Sequence, residues 1–533
     1  MMSEGSQVAT ADDAADKMTS VATSGPLMDW RRSVRNVASN WASFVIGVVI
    51  ALVLSPYIVH TLGDEAYGAW VLLGSLVGYL GLLDLGTRGA VTRYVATYHA
   101  AQRHEDAGRI ASTALILFGG LGLVAVAASG VLALLVNHAF QVPAELAGVT
   151  RIALVLSGLN VAVALVSGVF GGIVVGRQRF DSLNAVNIVL ALVQAVAIVA
   201  VLRGGAGLIG LAAVQLAVSV LRGGASAWLS WRFYPELALR AGSWNREDLR
   251  TIFSFGLSVT VIHAAGVVIN YTDALVIGAF LPVAMITFFA IAATMTDQVR
   301  AVIAGISQTL PPMVSALEGR RRAADIGEVF VQGARFATLA ALPMVFTLGI
   351  RGGSFIGIWM GPAYAGPAGS VLTVLTLALW AFAGYQVVTA TMMGINRHRG
   401  LIPIFVGEAF LNLVLSAILV RHFGIVGVAW GTALPRLIVS LVVGPVYARH
   451  HVGVPLRTYY ARTLLRPVVG MIPFALATLA IETWWPTSTL WTFLGQVLAA
   501  LPVAAVGAWF MVLTSRERRA LAGALMLPGF AWR

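Results

Sequence analysis

Nine ionisable side chains interrupt long apolar stretches of this 533-residue chain: Asp84, Arg222, His263, Asp273, Asp297, Arg300, Arg335, Glu408 and Arg436. A charge in such surroundings is costly to bury, so each must bind something, pair locally or reach water. Guanidinium groups are permanently charged and fork-shaped, which suits them to a diphosphate. Arg222, Arg335 and Arg436 are the candidates for that role; the alternative is that they snorkel toward lipid headgroups. Asp84 with Arg88 is an i,i+4 pair and Asp297 with Arg300 an i,i+3 pair, so these four can neutralise one another within a helix. Asp273 and Glu408 lack such a neighbour. They are candidates for cavity acids coupled to a proton or cation, the alternative being a hydrogen-bonded structural acid. His263 reads as a packing histidine or a titrating switch. Asn160, Asn187, Gln194, Gln215, Asn270, Gln308, Gln386 and Asn412 either pair between helices or line a polar passage.

No catalytic constellation accompanies these groups. There is no cysteine, which excludes disulfides and thiol chemistry. A phosphate-binding G-x-x-x-x-G-K-[ST] loop, an H-E-x-x-H motif and a nucleophile elbow are all missing from the sequence. No catalytic residue, metal or cofactor is therefore assigned, and the chain is not expected to be an enzyme.

The elements that carry these residues must lie in lipid. Hydrophobic residues make up 58% of the chain and charged ones only 11%, far from a soluble composition. The net charge of +12 is spread over loop after loop, which argues against a nucleic-acid partner. A crossing needs about 20 apolar residues, and fourteen segments qualify: 41–61, 66–87, 109–136, 148–175, 183–203, 207–231, 251–280, 283–306, 327–350, 368–393, 401–421, 425–448, 460–482 and 488–514. Basic residues alternate strictly between the connections. Twenty-seven of the 35 fall on every second one, and only Arg151, Arg203, Arg351 and Arg421 on the others. Because basic loops stay in the cytoplasm, both termini are expected there. Trp228, Trp231, Trp359, Trp484 and Trp485 lie near predicted helix ends, as interfacial anchors do.

The chain also repeats itself at a displacement of about 217 residues. VVGRQRFDSLNAV from Val174 aligns with MMGINRHRGLIPI from Met392, and GLIGLA from Gly207 with GIVGVA from Gly424. Each copy holds six spans, an even number, so the expected architecture is all-α: two six-helix bundles related by a pseudo-two-fold axis along the membrane normal, plus two C-terminal helices. The expected parts are a disordered cytoplasmic tail (1–36), bundles at 37–232 and 251–450 joined by a cytoplasmic linker (233–250), two helices within 451–515, and a tail (516–533). Arg222 and Arg436 occupy the last span of each bundle. At this displacement they differ by three residues, under one helical turn, which predicts that both face one central cavity.

Residues 36–96, with TLGDEAYGAW from Thr61 and the LDLG segment at 83–86, resemble the opening of Wzx-type polysaccharide flippases. NYTDALVIGAFLPVAMITFFAIA from Asn270 is similar to the start of their second half. The resemblance covers roughly residues 30–450. It implies membership of the multidrug/oligosaccharidyl-lipid/polysaccharide exporter superfamily and a place in the bacterial inner membrane. It further implies that undecaprenyl-diphosphate-linked oligosaccharide moves to the outer leaflet; joined to the repeat and to the guanidinium chemistry above, the expectation is alternating access with Arg222, Arg335 and Arg436 on the diphosphate. The implied partners are the lipid-linked oligosaccharide and membrane lipids, and beyond them polysaccharide polymerase and glycosyltransferases. Two other readings of the superfamily stay open, a MATE-like exporter driven by H⁺ or Na⁺ and a lipid II flippase. A membrane glycan polymerase is disfavoured, because no outside connection is long.

Overall fold

In hydrocarbon every backbone N–H and C=O must be satisfied within its own segment, so the apolar stretches become helices. The computed structural model describes residues 30–84, 87–240, 242, 244–320 and 322–519. The first half runs through α1 (Trp30–Leu62), α2 (Asp64–Leu80), α3 (Thr87–Ala100), α4 (His104–Ala139), α5 (Ala144–Gly176), α6 (Phe180–Arg203) and α7 (Gly207–Phe233). The second runs through α8 (Arg246–Phe280), α9 (Ala284–Ser307), α10 (Leu310–Gly319), α11 (Ala323–Trp359), α12 (Pro362–Gly394), α13 (Ile402–Ile438) and α14 (Gly444–Val452). The short α15 (Leu456–Tyr459), then α16 (Arg466–Trp484) and α17 (Leu490–Gly507), close the fold. Among the described residues thirteen helical elements are long and apolar enough to cross a membrane, and there is no strand.

One of the thirteen, His398–Val452, holds 55 residues and would be about 80 Å long if straight. It is folded in two. Gly424 has φ 57° and ψ −139°, a conformation that a side chain would forbid. Ser416 Oγ then donates to Val428 O at 3.5 Å, Asn412 Nδ2 to Thr432 Oγ1 at 2.9 Å, and Glu408 forms an ion pair with Arg436. These rungs fall every four residues on both arms, as two antiparallel helices with one facing stripe each require. The predicted spans 401–421 and 425–448 are the two arms of this hairpin.

The repeated sequences adopt repeated conformations. Gln178 and Asn396 both have positive φ, 57° and 55°, although neither is glycine. The bonds around them also correspond, Arg179 N to Val174 O at 3.2 Å and Arg397 N to Met392 O at 2.8 Å. Gly207 and Gly424, both with positive φ, mark the second pair of equivalent turns.

Connections that carry the arginine clusters meet one another in space. Arg109 pairs with Asp248 at 2.8 Å, Arg177 Nε donates to Phe233 O at 3.1 Å, and Tyr447 donates to Arg397 O at 2.9 Å. The other connections gather at the opposite end. There Thr287 donates to Asp64 O and Tyr364 to Asp64 Oδ1, each at 2.6 Å, and Gln141 N donates to Gly278 O at 3.0 Å. We refer to these as the basic end and the far end. The bonds of Asp64 and Gln141 join the two halves, and one core cluster continues them, with Leu72 and Leu73 of α2 against Ile286 of α9 and Leu372 of α12. Toward the basic end each half has its own core, around Ile110 and Tyr234 in the first and around Phe330 and Tyr385 in the second. Helix α8 straddles them, with Ile252 in the first core and Ile269 packed on Ala409.

Several sequence expectations change here. The span 66–87 is not one helix, because α2 ends at Leu80 and a 3₁₀ turn (Gly81–Asp84) follows. Arg351, read as a loop residue, lies inside α11, which continues to Trp359, and is 1% exposed. Trp359 is no interfacial anchor: it is buried, and its Nε1 donates to Leu52 O at 2.6 Å. Most of the expected N-terminal tail, and residues 520–533 of the C-terminal one, lie outside the described residues, but from Trp30 the chain is already helical. The linker is strapped onto α4 by Arg240 N to Ser112 Oγ at 3.0 Å and Asn245 N to Thr113 Oγ1 at 3.3 Å.

Candidate functional site

A buried network of charged and polar side chains lies inside the second half and is held by α8 and the α13 hairpin. Asp273, one of the two unpartnered acids of the sequence, is buried on α8 and accepts from Thr432 Oγ1 at 2.8 and 3.0 Å. Thr432 in turn accepts from Asn412, so three helical segments meet through one hydroxyl. Glu408, 2% exposed, does have a partner: Arg436 of the other arm, 28 residues along the chain. The guanidinium also sits 4.7 Å from the centroid of Phe382. Oε2 of Glu408 and Oδ1 of Asn412 are buried acceptors without a donor, so this interior can take up a proton or a small cation at oxygen.

Nearer the surface of the same half, Arg300 pairs with Asp297 and its Nη1 donates to Asn270 Oδ1 at 3.0 Å. Asp297 and Asn270 are exposed, which leaves a polar cluster beside the buried one. The analogous Asp84 is at the end of the 3₁₀ turn of the first half. The side chain of Arg88 lies outside the described residues.

The three arginines chosen for a diphosphate occupy three settings. Arg436 is engaged by Glu408. Arg222 is exposed and, with Ser167, Asn187 and Ser219, lines a recess of about 530 Å³ among α3, α5, α6 and α7. No carboxylate lies within 4 Å of it among the described residues. Arg335, 5% exposed, pairs with Glu517 at the basic end. Arg222 thus lines a recess of the first half, and Arg436 is paired within the second. The sequence reasoning missed Thr432 and the pairing of Glu408 with Arg436. Complementary residues every four positions on the arms flanking Gly424 are the signal that finds them.

Two helical lobes joined at the end away from the arginines, with charge in the interior of one, define a multi-pass membrane protein of the multidrug/oligosaccharidyl-lipid/polysaccharide exporter fold. The lipid II flippase MurJ in an inward closed conformation superposes with a TM-score of 0.67 at 14% identity, over 92% of this chain and 100% of that one. An inward-facing multidrug resistance MATE family transporter of the MOP superfamily gives 0.64 at 16% identity, over 77% and 98%. The model of the family described as polysaccharide biosynthesis protein matches residues 33–318, and the chain belongs to that family. A protein named for O-antigen transport in Shigella flexneri is 20% identical over 428 residues, 78% of this chain and 98% of the relative.

Proposed function

We propose that this protein is a flippase that carries undecaprenyl-diphosphate-linked oligosaccharide across the bacterial inner membrane by alternating access, with its basic end in the cytoplasm. One observation carries the reading: the bonds of Asp64 and Gln141 join the halves at the far end, whereas toward the basic end each half has a core of its own and it is the start of α8 that crosses between them, through Arg109 with Asp248 and through Ile252. That arrangement suits an inward-open state receiving substrate from the side where lipid-linked sugars are assembled. Names of relatives support the same class, O-antigen transport in one and lipid II flipping in another.

In this mechanism Arg222 is the guanidinium open to the diphosphate, and Arg335 and Arg436 are engaged after leaving their carboxylates. Uptake of a proton or cation at Glu408 frees Arg436 and so couples that acid to substrate, while Asp273, held to the same hairpin through Thr432, is the second acid at which an ion can bind. The membrane potential favours the direction of export. Moving a dianion out of a negative interior at about 100 mV gains roughly 4.6 kcal/mol. The duplicated turns support two bundles related by an axis along the membrane normal, rocking about the far-end joint.

The test is a proteoliposome assay with a fluorescent undecaprenyl-diphosphate-linked oligosaccharide, in which outer-leaflet substrate is quenched. Arg222→Gln and Arg436→Gln should abolish movement while the protein still inserts. Wild-type protein inert toward this lipid, but active in expelling a cationic drug against a proton gradient, would replace the reading by a MATE-like exporter.

A further inference from the structure

We propose that the recess at the basic end, walled by α10, α11 and the chain around α15, α16 and Glu517, is a binding site for the phosphate headgroup of an anionic lipid. Arg320, Arg335, Arg462, Arg466 and Arg516 converge on this recess of about 1280 Å³ from three separate stretches of sequence. Its three carboxylates are already engaged. Asp325 faces Arg322 at 3.5 Å, Glu328 accepts from Gln332 Nε2 at 2.8 Å, and Glu517 pairs with Arg335. No carboxylate lies within 4 Å of Arg320, Arg462, Arg466 or Arg516 among the described residues. Five guanidinium groups against three carboxylates leave this recess with an excess of positive charge, which an anion would offset.

Arg335 supplies the inner end of the site. It is 5% exposed, yet its Nε has no acceptor. A buried guanidinium with an unused N–H is costly, and a phosphate oxygen in the recess would satisfy it with a charge-assisted bond. The Glu517 carboxylate acts as an internal anion on the same guanidinium, held in place by Thr514 N and Oγ1 at 2.8 Å each.

The chemistry of the walls selects an amphiphile over a soluble anion. Met313, Leu317, Val329 and Val454 line the recess beside the arginines. Leu465, next to Arg466, is 62% exposed, and Phe510 and Met511, just before Thr514, are also exposed. A charged pocket opening onto apolar, lipid-facing surface accommodates a headgroup with its acyl chains. Such a lipid stays with the protein at Arg320, Arg462, Arg466 and Arg516, which the transport reading does not use; Arg335 is the residue the two readings share.

The test measures phosphatidylglycerol retained by the purified full chain after delipidation and incorporation into nanodiscs of phosphatidylcholine with 10% phosphatidylglycerol. No oligosaccharide is present, so failure here does not touch the transport reading. Arg462→Gln should lower retention about fivefold, and Arg462→Gln with Arg466→Gln more than tenfold, at unchanged thermal stability. Glu517→Gln should raise retention, because Arg335 loses its internal anion. Inorganic phosphate at millimolar concentration should displace the lipid only weakly. Retention unchanged in both arginine variants overturns the site. Complete displacement by inorganic phosphate overturns the lipid as its ligand and points to a soluble phosphate. Lower retention in Glu517→Gln overturns the competition at Arg335.

Discussion

Arg436 and Glu408 form an ion pair across the fold-back at Gly424, each on its own arm of α13, with the carboxylate 2% exposed. The pair holds the arms together and neutralises both charges in the interior. Removing one partner strands the other, at a cost of about 3–5 kcal/mol. Arg436→Met and Glu408→Leu should therefore each lower the thermal stability of the detergent-solubilised protein, and the double variant should recover most of the loss. A double variant as unstable as the worse single one would refute the pairing.

Gly424 makes that pairing possible. At φ 57° and ψ −139° any side chain is strained, so Gly424→Ala should destabilise by about 1–3 kcal/mol. Cysteines introduced at positions 412 and 432 report the outcome directly, since their cross-linking should drop if the arms splay and remain unchanged if the strain is absorbed elsewhere.

Arg351 ties the last two membrane helices to the second half. Its Nε donates to Glu482 at 2.8 Å, and its Nη2 reaches Thr487 at 2.6 Å and Gln496 at 2.5 Å. A lysine ammonium cannot reproduce this planar fork. We expect Arg351→Lys to loosen α16 and α17 and Arg351→Leu to do so more strongly, by about 3–5 kcal/mol, read as faster proteolysis in the 484–489 connection. Equal cleavage rates in all three proteins would count against the tie.

Burial pushes the Glu517 carboxyl upward, but hydrogen bonds from Thr514 and the Arg335 guanidinium outweigh it and leave the group below the usual glutamate range. A depressed folded-state value means that docking of the C-terminal segment is fully stabilised above the ordinary glutamate pKa. That stabilisation is lost as pH falls through the lowered one. Hydrogen-exchange protection over residues 513–519, taken relative to the intrinsic rate at each pH, should fall across that acidic window and stay constant there in Glu517→Gln. Identical profiles for the two proteins would sink this assignment.

Much of the architecture was readable before any coordinates. Lipid demands helices of a minimum length and sorts basic loops to one side, and these constraints act on each stretch of sequence separately. The alternation of arginines accordingly matches the meeting of Arg109 with Asp248, of Arg177 with Phe233 and of Arg397 with Tyr447. The repeat found at 174–221 and 392–441 likewise corresponds to matching backbone turns at Gln178 and Asn396, because the conformation of a turn is set by a few neighbouring residues.

Partnerships between distant side chains were settled only by the packing of the helices. Glu408 looked isolated because its partner is 28 residues away beyond a fold-back, and Arg335 because Glu517 is 182 residues along the chain. Arg351 seemed to belong to a loop, since a guanidinium ends an apolar run unless a carboxylate from another helix accompanies it into the interior. Charges in lipid are paid for by whichever group folding brings near them, and that proximity arises from helix crossing and lobe contact. The same holds for the joint between the halves: local sequence makes each helix apolar, but Asp64 meeting Thr287 and Tyr364 is what closes the far end.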